Sequence, residues 1–329
     1  GIQINYGPVI DINNNPSNPV INDRSFGQSK SKVIQQGVAY MKGMQDNGIM
    51  ATAKHFPGHG DVNVDSHFDL PVINKSMAAL DSLELEPFKA LINAGIESIM
   101  VAHLSVPAID DRPKYATSIS PNAVNGLLKK ELGFKGISVT DAMDMKAIAN
   151  YFPQGEANVQ AILAGNDMLC LPGDLGQSIN KIRAAIKERR LKRSDINARV
   201  KKILTAKYKH GLDLPQQIDT NHIVADLNQS VGSINAAMAQ QSLTFIRATN
   251  SPQLNNKTAY LAINAKYTNA LTNSIASNYG VKVFYTSGNN ASELALINDS
   301  LKAYDQVIVG LHGYSRRPAN HFEIPAATL

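Results

Sequence analysis

The sequence predicts an α/β protein built on a parallel sheet. Short apolar segments alternate with amphipathic helical segments about five times before residue 212, and the apolar segments show no polar alternation. Strands of this kind are covered by helices on both faces, which is typical of parallel sheets. Polar residues collect where the strands end, among them Asp11, His55, His103 and Asp141. Only the C-terminal face of a (β/α) barrel, or the switch point of an open sheet, gathers such ends around one pocket. We therefore expect a (β/α)8 barrel of the TIM type that lacks its first strands in this chain.

The elements follow from local patterns. Residues 2–10 are rich in Ile, Val and Tyr and predict a buried strand, which ends at an Asn- and Pro-containing loop at 11–16. A period close to 3.6 residues predicts a helix over 29–45. The same two patterns predict strands at 49–55, 98–103, 137–140 and 167–171, helices at 77–93, 121–132 and 159–164, and two more helices that reach residue 208.

The pattern changes after residue 212. Residues 213–225 are polar and contain Pro215, which predicts a linker between a partial barrel domain at 1–212 and a second α/β domain at 226–329. In the second domain we expect a helix at 230–241 and strands at 243–247, 258–263, 281–285 and 306–311. The chain opens inside a strand pattern without a methionine, so we expect that its natural N-terminus lies upstream. A further domain beyond either end of the chain is compatible with this sequence.

Composition narrows the class of protein. The chain is 43% hydrophobic and 18% charged, ordinary values for a globular protein, and no apolar run approaches the roughly 18 residues that span a bilayer. The net charge of +5 arises partly from the basic run 187–193, which lies in a helical pattern without interleaved aromatic residues. A solvated helix face is the expected explanation, so no nucleic-acid partner is predicted. We also expect no membrane span and no cofactor. The single cysteine, Cys170, is expected to be a small core residue.

The densest group of titratable residues lies at 54–67, which reads KHFPGHGDVNVDSH. Asp65 and His67 are two residues apart, so in extended backbone both side chains project to one side and the carboxylate orients the imidazole for proton transfer. Gly58 and Gly60 are expected to give this loop the freedom to close over a substrate. Asp141 ends a predicted strand and is a candidate nucleophile if its neighbours lower its pKa.

The segments 54–60, 65–67 and 138–145, which read KHFPGHG, DSH and SVTDAMDM, resemble glycoside hydrolase family 3. Within that family they are similar to the bacterial β-N-acetylglucosaminidases (β-hexosaminidases), and the likeness runs from about residue 2 to residue 212. The resemblance implies that Asp141 is the catalytic nucleophile and that His67, partnered by Asp65, is the general acid/base.

The same resemblance implies that Arg24, Lys54 and His55 hold the sugar hydroxyls and the N-acetyl group. The implied reaction is a retaining, metal-free hydrolysis of terminal β-linked N-acetylglucosamine from cell-wall (peptidoglycan) fragments, so the expected partner is a small carbohydrate or a muropeptide. The compartment stays open between the cytoplasm and the periplasm or exterior of a bacterium.

Several alternatives remain. A β-glucosidase or an N-acetylglucosaminide phosphorylase of the same family would keep the fold. The phosphorylase is included because an uncharged or cationic acid/base does not repel a phosphate acceptor. A metal-dependent hydrolase would use ligands from the group His55, His59, Asp61, Asp65 and His67, although the proline and glycines of the loop exclude the helical spacing of a common zinc motif. A non-catalytic sugar-binding barrel is the third alternative.

Three further polar residues are expected to have structural roles. His103 is predicted to be a hydrogen-bonded structural histidine rather than a catalytic one. Asp11 and Asp167 are expected to hold loops at the barrel mouth.

Overall fold

The structure is a computed structural model that describes residues 2–66, 69–152, 155–214, 217, 219–247, 253–265, 267–316 and 322–324. The chain divides near residue 216 into two compact units. Each unit contains its own parallel sheet.

Five parallel strands form the sheet of the first unit: β1 (Ile4–Asn5), β2 (Met50–Phe56), β3 (Ser98–Val101), β4 (Ile137–Ala142) and β5 (Met168–Cys170). They lie in sequence order, without the reversal that creates a switch point in a doubly wound sheet. The sheet curls into a half-barrel, which confirms the predicted fold class. Because all five strands run the same way, their C-terminal ends open on one face.

The helices of this unit are Lys30–Gln45, Met77–Ser82, Leu85–Asn93, Asn122–Glu131, Lys146–Ala149, Glu156–Ala164, Leu175–Lys187 and Arg193–Lys209. Short 3-10 turns lie at Asn22–Arg24 and Thr117–Ile119, and Asn122–Glu131 is wound with wide π-type turns. The largest core cluster joins β2 and β3 to the first helices, with Phe56 and Phe88 packed edge to face at 5.3 Å.

Two predicted elements differ from the observed ones for a local reason, and both involve proline. The first strand covers only two residues, although the chain continues beside β2 as far as Ile10; Pro8 has no amide hydrogen to donate to the ladder. The helix expected at 77–93 is two helices. Pro87 cannot donate to the Leu83 carbonyl four residues earlier, so the helix is interrupted there.

The helix Arg193–Lys209 runs across the N-terminal ends of the strands. Arg199 donates to the Asn166 carbonyl just before β5, and Lys202 donates to the Gly136 carbonyl just before β4. At the end of the helix, His210 bonds to the Gly48 carbonyl, just before β2, and to Glu97, just before β3. The helix therefore closes the face of the half-barrel opposite the C-terminal strand ends.

Asp167 belongs to this opposite face. Its carboxylate accepts hydrogen bonds from Ser138 and pairs with Lys129 at 3.2 Å and Lys202 at 2.8 Å. Asp167 precedes β5, so the expectation that it holds a loop at the barrel mouth is wrong.

The second unit contains β6 (Thr258–Ile263), β7 (Lys282–Thr286) and β8 (Gln306–Leu311) in the order β7-β6-β8. All six residues of β6 are buried. Its helices are Ile223–Asn228, Val231–Ser242, Ala270–Tyr279 and Ala291–Leu301. The helix Ile223–Asn228 begins inside the segment expected to be a linker.

The strand expected at 243–247 is not formed, although β6, β7 and β8 match their predicted positions closely. Leu243, Phe245 and Ile246 are strongly exposed and have no strand partner in the described part of the chain. A β-type composition becomes a strand only where a neighbouring strand is there to pair with it. None of the helices in the described ranges is both long and apolar enough to cross a membrane.

Candidate active site

A cavity of about 170 Å³ opens at the C-terminal ends of the strands. Four of the six predicted site residues line it, namely Arg24, Lys54, His55 and Asp141. Residues that were not predicted as site residues complete the lining: Tyr6, Val20, His59, Ser66, Met100, Met145 and Cys170. The volume lies below the roughly 300–1,000 Å³ of drug-sized ligand sites and suits a ligand of about one sugar ring.

His55 lies between the carboxylate of Asp11 and the guanidinium of Arg24. It lies near the end of β2, and its Nδ1 is 2.7 Å from Asp11 Oδ2 while its Nε2 is 3.4 Å from the Arg24 guanidinium. Arg24 can only donate a hydrogen bond, so Nε2 is the acceptor and Nδ1 carries the proton that is donated to Asp11. The two contacts therefore fix both the tautomer and the orientation of the ring.

Asp11 also organises the backbone that follows β2. It is 1% exposed, and its Oδ1 accepts the amide hydrogens of His55 at 3.1 Å and of His59 at 2.7 Å. Burial acts to raise the pKa of Asp11, but the interactions with His55 and His59 together outweigh it and hold the pKa below its ordinary value. Asp11 therefore fixes a loop at the barrel mouth as an ionised carboxylate.

Residues 57–60 are buried and closely packed. The Asn18 amide donates to the carbonyls of His59 and Gly60 at 2.8 and 3.0 Å. A β-carbon at Gly60 would lie 1.7 Å from the Ile12 carbonyl oxygen, and one at Gly58, where φ is +131°, would lie 2.8 Å from Glu84 Cβ. The two glycines permit close packing here, so the expected role in loop mobility is wrong for this part of the loop.

Two ion pairs made by the partly buried Lys75 support the same loop. Lys75 Nζ lies 2.6 Å from Asp61 and also pairs with Glu84, whose side chain is 3% exposed. Asp61 directly follows Gly60, so this lysine ties the loop to the start of the helix Leu85–Asn93.

Lys54 and Asp141 supply opposite charges to the cavity. Burial and the neighbouring Arg24 lower the pKa of Lys54, while Asp141 and Asp11 act in the opposite direction. Asp141 is the penultimate residue of β4, and its carboxylate accepts the Ala142 amide hydrogen at 2.9 Å. Burial acts to raise the pKa of Asp141, but the imidazoles of His55 and His103 and the Ala142 amide leave it below its ordinary value. Asp141 is therefore ionised at neutral pH.

His103 is fully buried and has a partner at each ring nitrogen. Nδ1 lies 2.6 Å from Ser118 Oγ, and Nε2 donates to the Ala142 carbonyl at 2.9 Å. Burial lowers the pKa of His103, although Asp141 acts in the opposite direction. The ring thus supports the strand end that carries Asp141, in the structural role that was predicted for it.

Of the predicted dyad, the structure describes only one member. Asp65 is partly buried, while His67 lies outside the described residues. Ser66, between them, is 2% exposed and lines the cavity, with its hydroxyl 3.2 Å from His59 Nε2.

Cys170 is partly buried and lines the cavity, so its assignment to the core is wrong. Burial and Asp141 raise the pKa of its thiol. The position of Cys170 at the end of β5 was a usable signal, because the other cavity residues also lie near strand ends. His59 was missed as a cavity residue because the sequence does not reveal which loop side chains face inward. No group of three metal-ligating side chains suited to an ion occurs in the ranges that the structure describes.

A curled parallel sheet that gathers a carboxylate, two cations and two imidazoles at its C-terminal strand ends has the architecture of a TIM-type barrel enzyme. Residues 1–206 match the family described as "Glycosyl hydrolase family 3 N terminal domain". This chain belongs to glycosyl hydrolase family 3.

Three similar proteins illustrate the relationship. Over 185 residues the chain is 37% identical to β-hexosaminidase A of Pseudoalteromonas piscicida, and this match covers 52% of this chain and 30% of that protein. Over 259 residues it is 30% identical to a "Beta-N-acetylglucosaminidase/beta-glucosidase" of Cellulomonas fimi, with 75% of this chain and 45% of that protein covered. The structure of a family 3 β-N-acetylglucosaminidase from Paenibacillus sp. str. FPU-7 matches with a TM-score of 0.78 at 30% identity, over 94% of this chain and 62% of that one. The chain thus spans less than two thirds of the length of each.

Proposed function

We propose that this chain carries the catalytic site of a retaining β-N-acetylglucosaminidase that removes terminal β-linked N-acetylglucosamine from peptidoglycan fragments. The observation that carries the proposal is Asp141, an ionised carboxylate at the end of β4, facing a cavity of one-sugar size beside Lys54 and Arg24. The names of the relatives from Pseudoalteromonas piscicida and Paenibacillus support the choice of sugar.

In the proposed first step, the Asp141 carboxylate attacks the anomeric carbon and the bond from that carbon to the leaving oxygen breaks. His67, oriented by Asp65, gives its proton to the leaving oxygen. In the second step, water attacks the anomeric carbon and passes a proton to His67, and the ester bond to Asp141 breaks. Two displacements at one carbon return the β configuration.

The cationic residues have a binding role in this proposal. Lys54 and Arg24 are hydrogen-bond donors only, which suits hydroxyl and carbonyl acceptors of the sugar. His55 contributes to the same subsite in the single tautomer that Asp11 and Arg24 impose.

The decisive experiment is the Asp141→Asn variant, assayed on a chromogenic β-N-acetylglucosaminide. Turnover should fall by roughly 10⁴-fold or more, as removal of a catalytic-triad residue does in other hydrolases. Sugar binding, measured by calorimetry, should be largely retained because the two side chains have the same shape. Unchanged turnover would refute the assignment of Asp141.

A β-glucosidase is the second candidate, because the name of the Cellulomonas fimi relative includes that activity. Comparing kcat/KM for the β-N-acetylglucosaminide and the matching β-glucoside decides between them. A strong preference for the glucoside would change the substrate and leave the mechanism intact.

Phosphorolysis is tested in the same assay. Asp141 is the sole carboxylate among the described residues that line the cavity, so a phosphate acceptor would meet little repulsion there. Sugar 1-phosphate formed at millimolar phosphate would identify a phosphorylase, and free sugar alone would identify a hydrolase. Dialysis against a strong chelator tests the metal-dependent alternative, and we expect full activity afterwards.

A further inference from the structure

Ser66 is anchored from two directions. Its buried hydroxyl lies 3.2 Å from His59 Nε2, and its carbonyl accepts the Ala147 amide hydrogen at 3.4 Å. Ala147 belongs to the short helix Lys146–Ala149, which follows the strand that carries Asp141. Ser66 is therefore held between the loop after β2 and the segment after β4.

His59 is held in place by contacts other than the one with Ser66. It is 1% exposed, its amide donates to Asp11, and its ring packs edge to face against His55 at 5.7 Å between centroids. Burial, with a smaller effect of His55, lowers the pKa of His59 to about 4, so the ring is neutral at physiological pH. A neutral imidazole can bind a hydroxyl without bringing another positive charge near Lys54 and Arg24.

We propose that His59 is a positioning residue, which holds the Ser66 hydroxyl and so fixes the residue that directly precedes the acid/base His67. The proposal rests on the proposed function, because it gives His59 a role in the protonation of the leaving group. His59 acts through Ser66 and transfers no proton itself. The physical reason is geometric: a displacement of about 1 Å in a catalytic group costs on the order of 10²-fold in rate.

The test separates positioning from general support of the fold by varying the leaving group. Two β-N-acetylglucosaminides are compared, one with a 2,4-dinitrophenolate, which departs without protonation, and one with an unsubstituted phenolate, which needs an acid. The value of kcat/KM reports steps up to and including departure of the phenolate, so it isolates the acid role.

For His59→Phe we expect kcat/KM to fall about 10–100-fold on the phenyl glycoside and less than about 3-fold on the dinitrophenyl glycoside. Ser66→Ala should show the same split, and the double variant should lose little more than either single one, since both remove one contact. His59→Gln, whose amide can still bond to the hydroxyl, should restore kcat/KM on the phenyl glycoside to within about 3-fold of wild type.

His210→Phe is the matched control. The side chain of His210 is likewise largely buried, at 7% exposure, and makes two hydrogen bonds, but it lies on the opposite face of the half-barrel. It should lower Tm and leave the ratio of the two kcat/KM values unchanged.

Equal losses on both substrates for His59→Phe and Ser66→Ala would overturn the positioning role. If His59→Phe fails to fold, Ser66→Ala decides the question alone. A wild-type protein that cleaves neither glycoside would refute the proposed function instead, so the two failures are distinguishable.

Discussion

Asp11 Oδ2 and His55 Nδ1 lie 2.7 Å apart in the interior of the first unit, and this contact determines which nitrogen of His55 faces the cavity as an acceptor. The two residues are 44 positions apart and meet because β1 and β2 are neighbours in the sheet. The same carboxylate binds the His59 amide. One buried aspartate therefore arranges the imidazole that is proposed to bind the sugar and the loop that leads to the proposed acid/base.

Asp11→Asn should impair binding through the wrong tautomer. If the amide oxygen of the new side chain keeps the two backbone hydrogen bonds that Asp11 accepts, its NH₂ group faces His55 Nδ1. Nδ1 must then be unprotonated in order to accept a hydrogen bond. The ring proton moves to Nε2, where it points at the Arg24 guanidinium, which is also a donor. We expect KM to rise and kcat/KM to fall about 10–100-fold, because one lost buried hydrogen bond costs about 1–3 kcal/mol. Steady-state kinetics measure the change, and an unaltered KM would contradict the tautomer argument.

The low pKa of His59 predicts an acid-sensitive fold. Burial and His55 lower the pKa of His59 to about 4, although Asp11 and Asp141 act in the opposite direction. The unfolded chain therefore binds a proton at this histidine below about pH 6.5, whereas the folded protein binds it only near pH 4. The unfolded state thus holds more protons between these values, so stability falls as the pH drops from about 6.5 to 4. The loss reaches up to about 3 kcal/mol.

Urea unfolding of wild type and His59→Gln at pH 7 and pH 4.5 measures this contribution. The variant should lose less stability on acidification. Gly43→Ala, which changes no titratable group and has nothing within 4 Å of the new β-carbon, serves as the control and should leave the pH dependence unchanged. Identical slopes for wild type and His59→Gln would contradict the assignment.

Gly60→Ala should disrupt the loop, because its β-carbon would lie 1.7 Å from the Ile12 carbonyl oxygen and neither backbone can move freely. We expect loss of activity together with a lower Tm. Gly43→Ala is the matched control: it lies in the helix Lys30–Gln45 with nothing within 4 Å of the new carbon, and should stabilise the protein by about 0.5–1 kcal/mol. A fully active Gly60→Ala protein would show that the loop is not packed in this way.

Asp167→Asn should separate fold stability from activity. Asp167 is 6% exposed and pairs with Lys129 and Lys202, which are 23% and 31% exposed. Removing its charge should cost about 2–4 kcal/mol, somewhat less than for a fully buried pair because water screens the lysines. Thermal unfolding should show a Tm lower by roughly 5–15 °C. Since Asp167 lies opposite the cavity, kcat/KM at 25 °C should stay within about 3-fold, and a larger loss would contradict its structural role.

Local patterns in the sequence determined the order of the strands and helices in the first unit, with errors where Pro8 and Pro87 remove a backbone donor. They also placed Lys54, His55 and Asp141 at one face, because parallel strands bring their C-terminal ends together whatever the details of packing. The same reasoning failed for residues 243–247, since strand formation depends on a partner that composition does not specify.

Tertiary structure alone decided the finer arrangement of the cavity. The Asp11–His55 contact, the approach of Gly60 to Ile12, the inward position of Cys170 and the contact between His59 and Ser66 each depend on register and close packing. Composition and periodicity carry no information about such distances. The sequence by itself therefore predicted the candidate site residues, and only the packed chain showed which side chains hold the others in place.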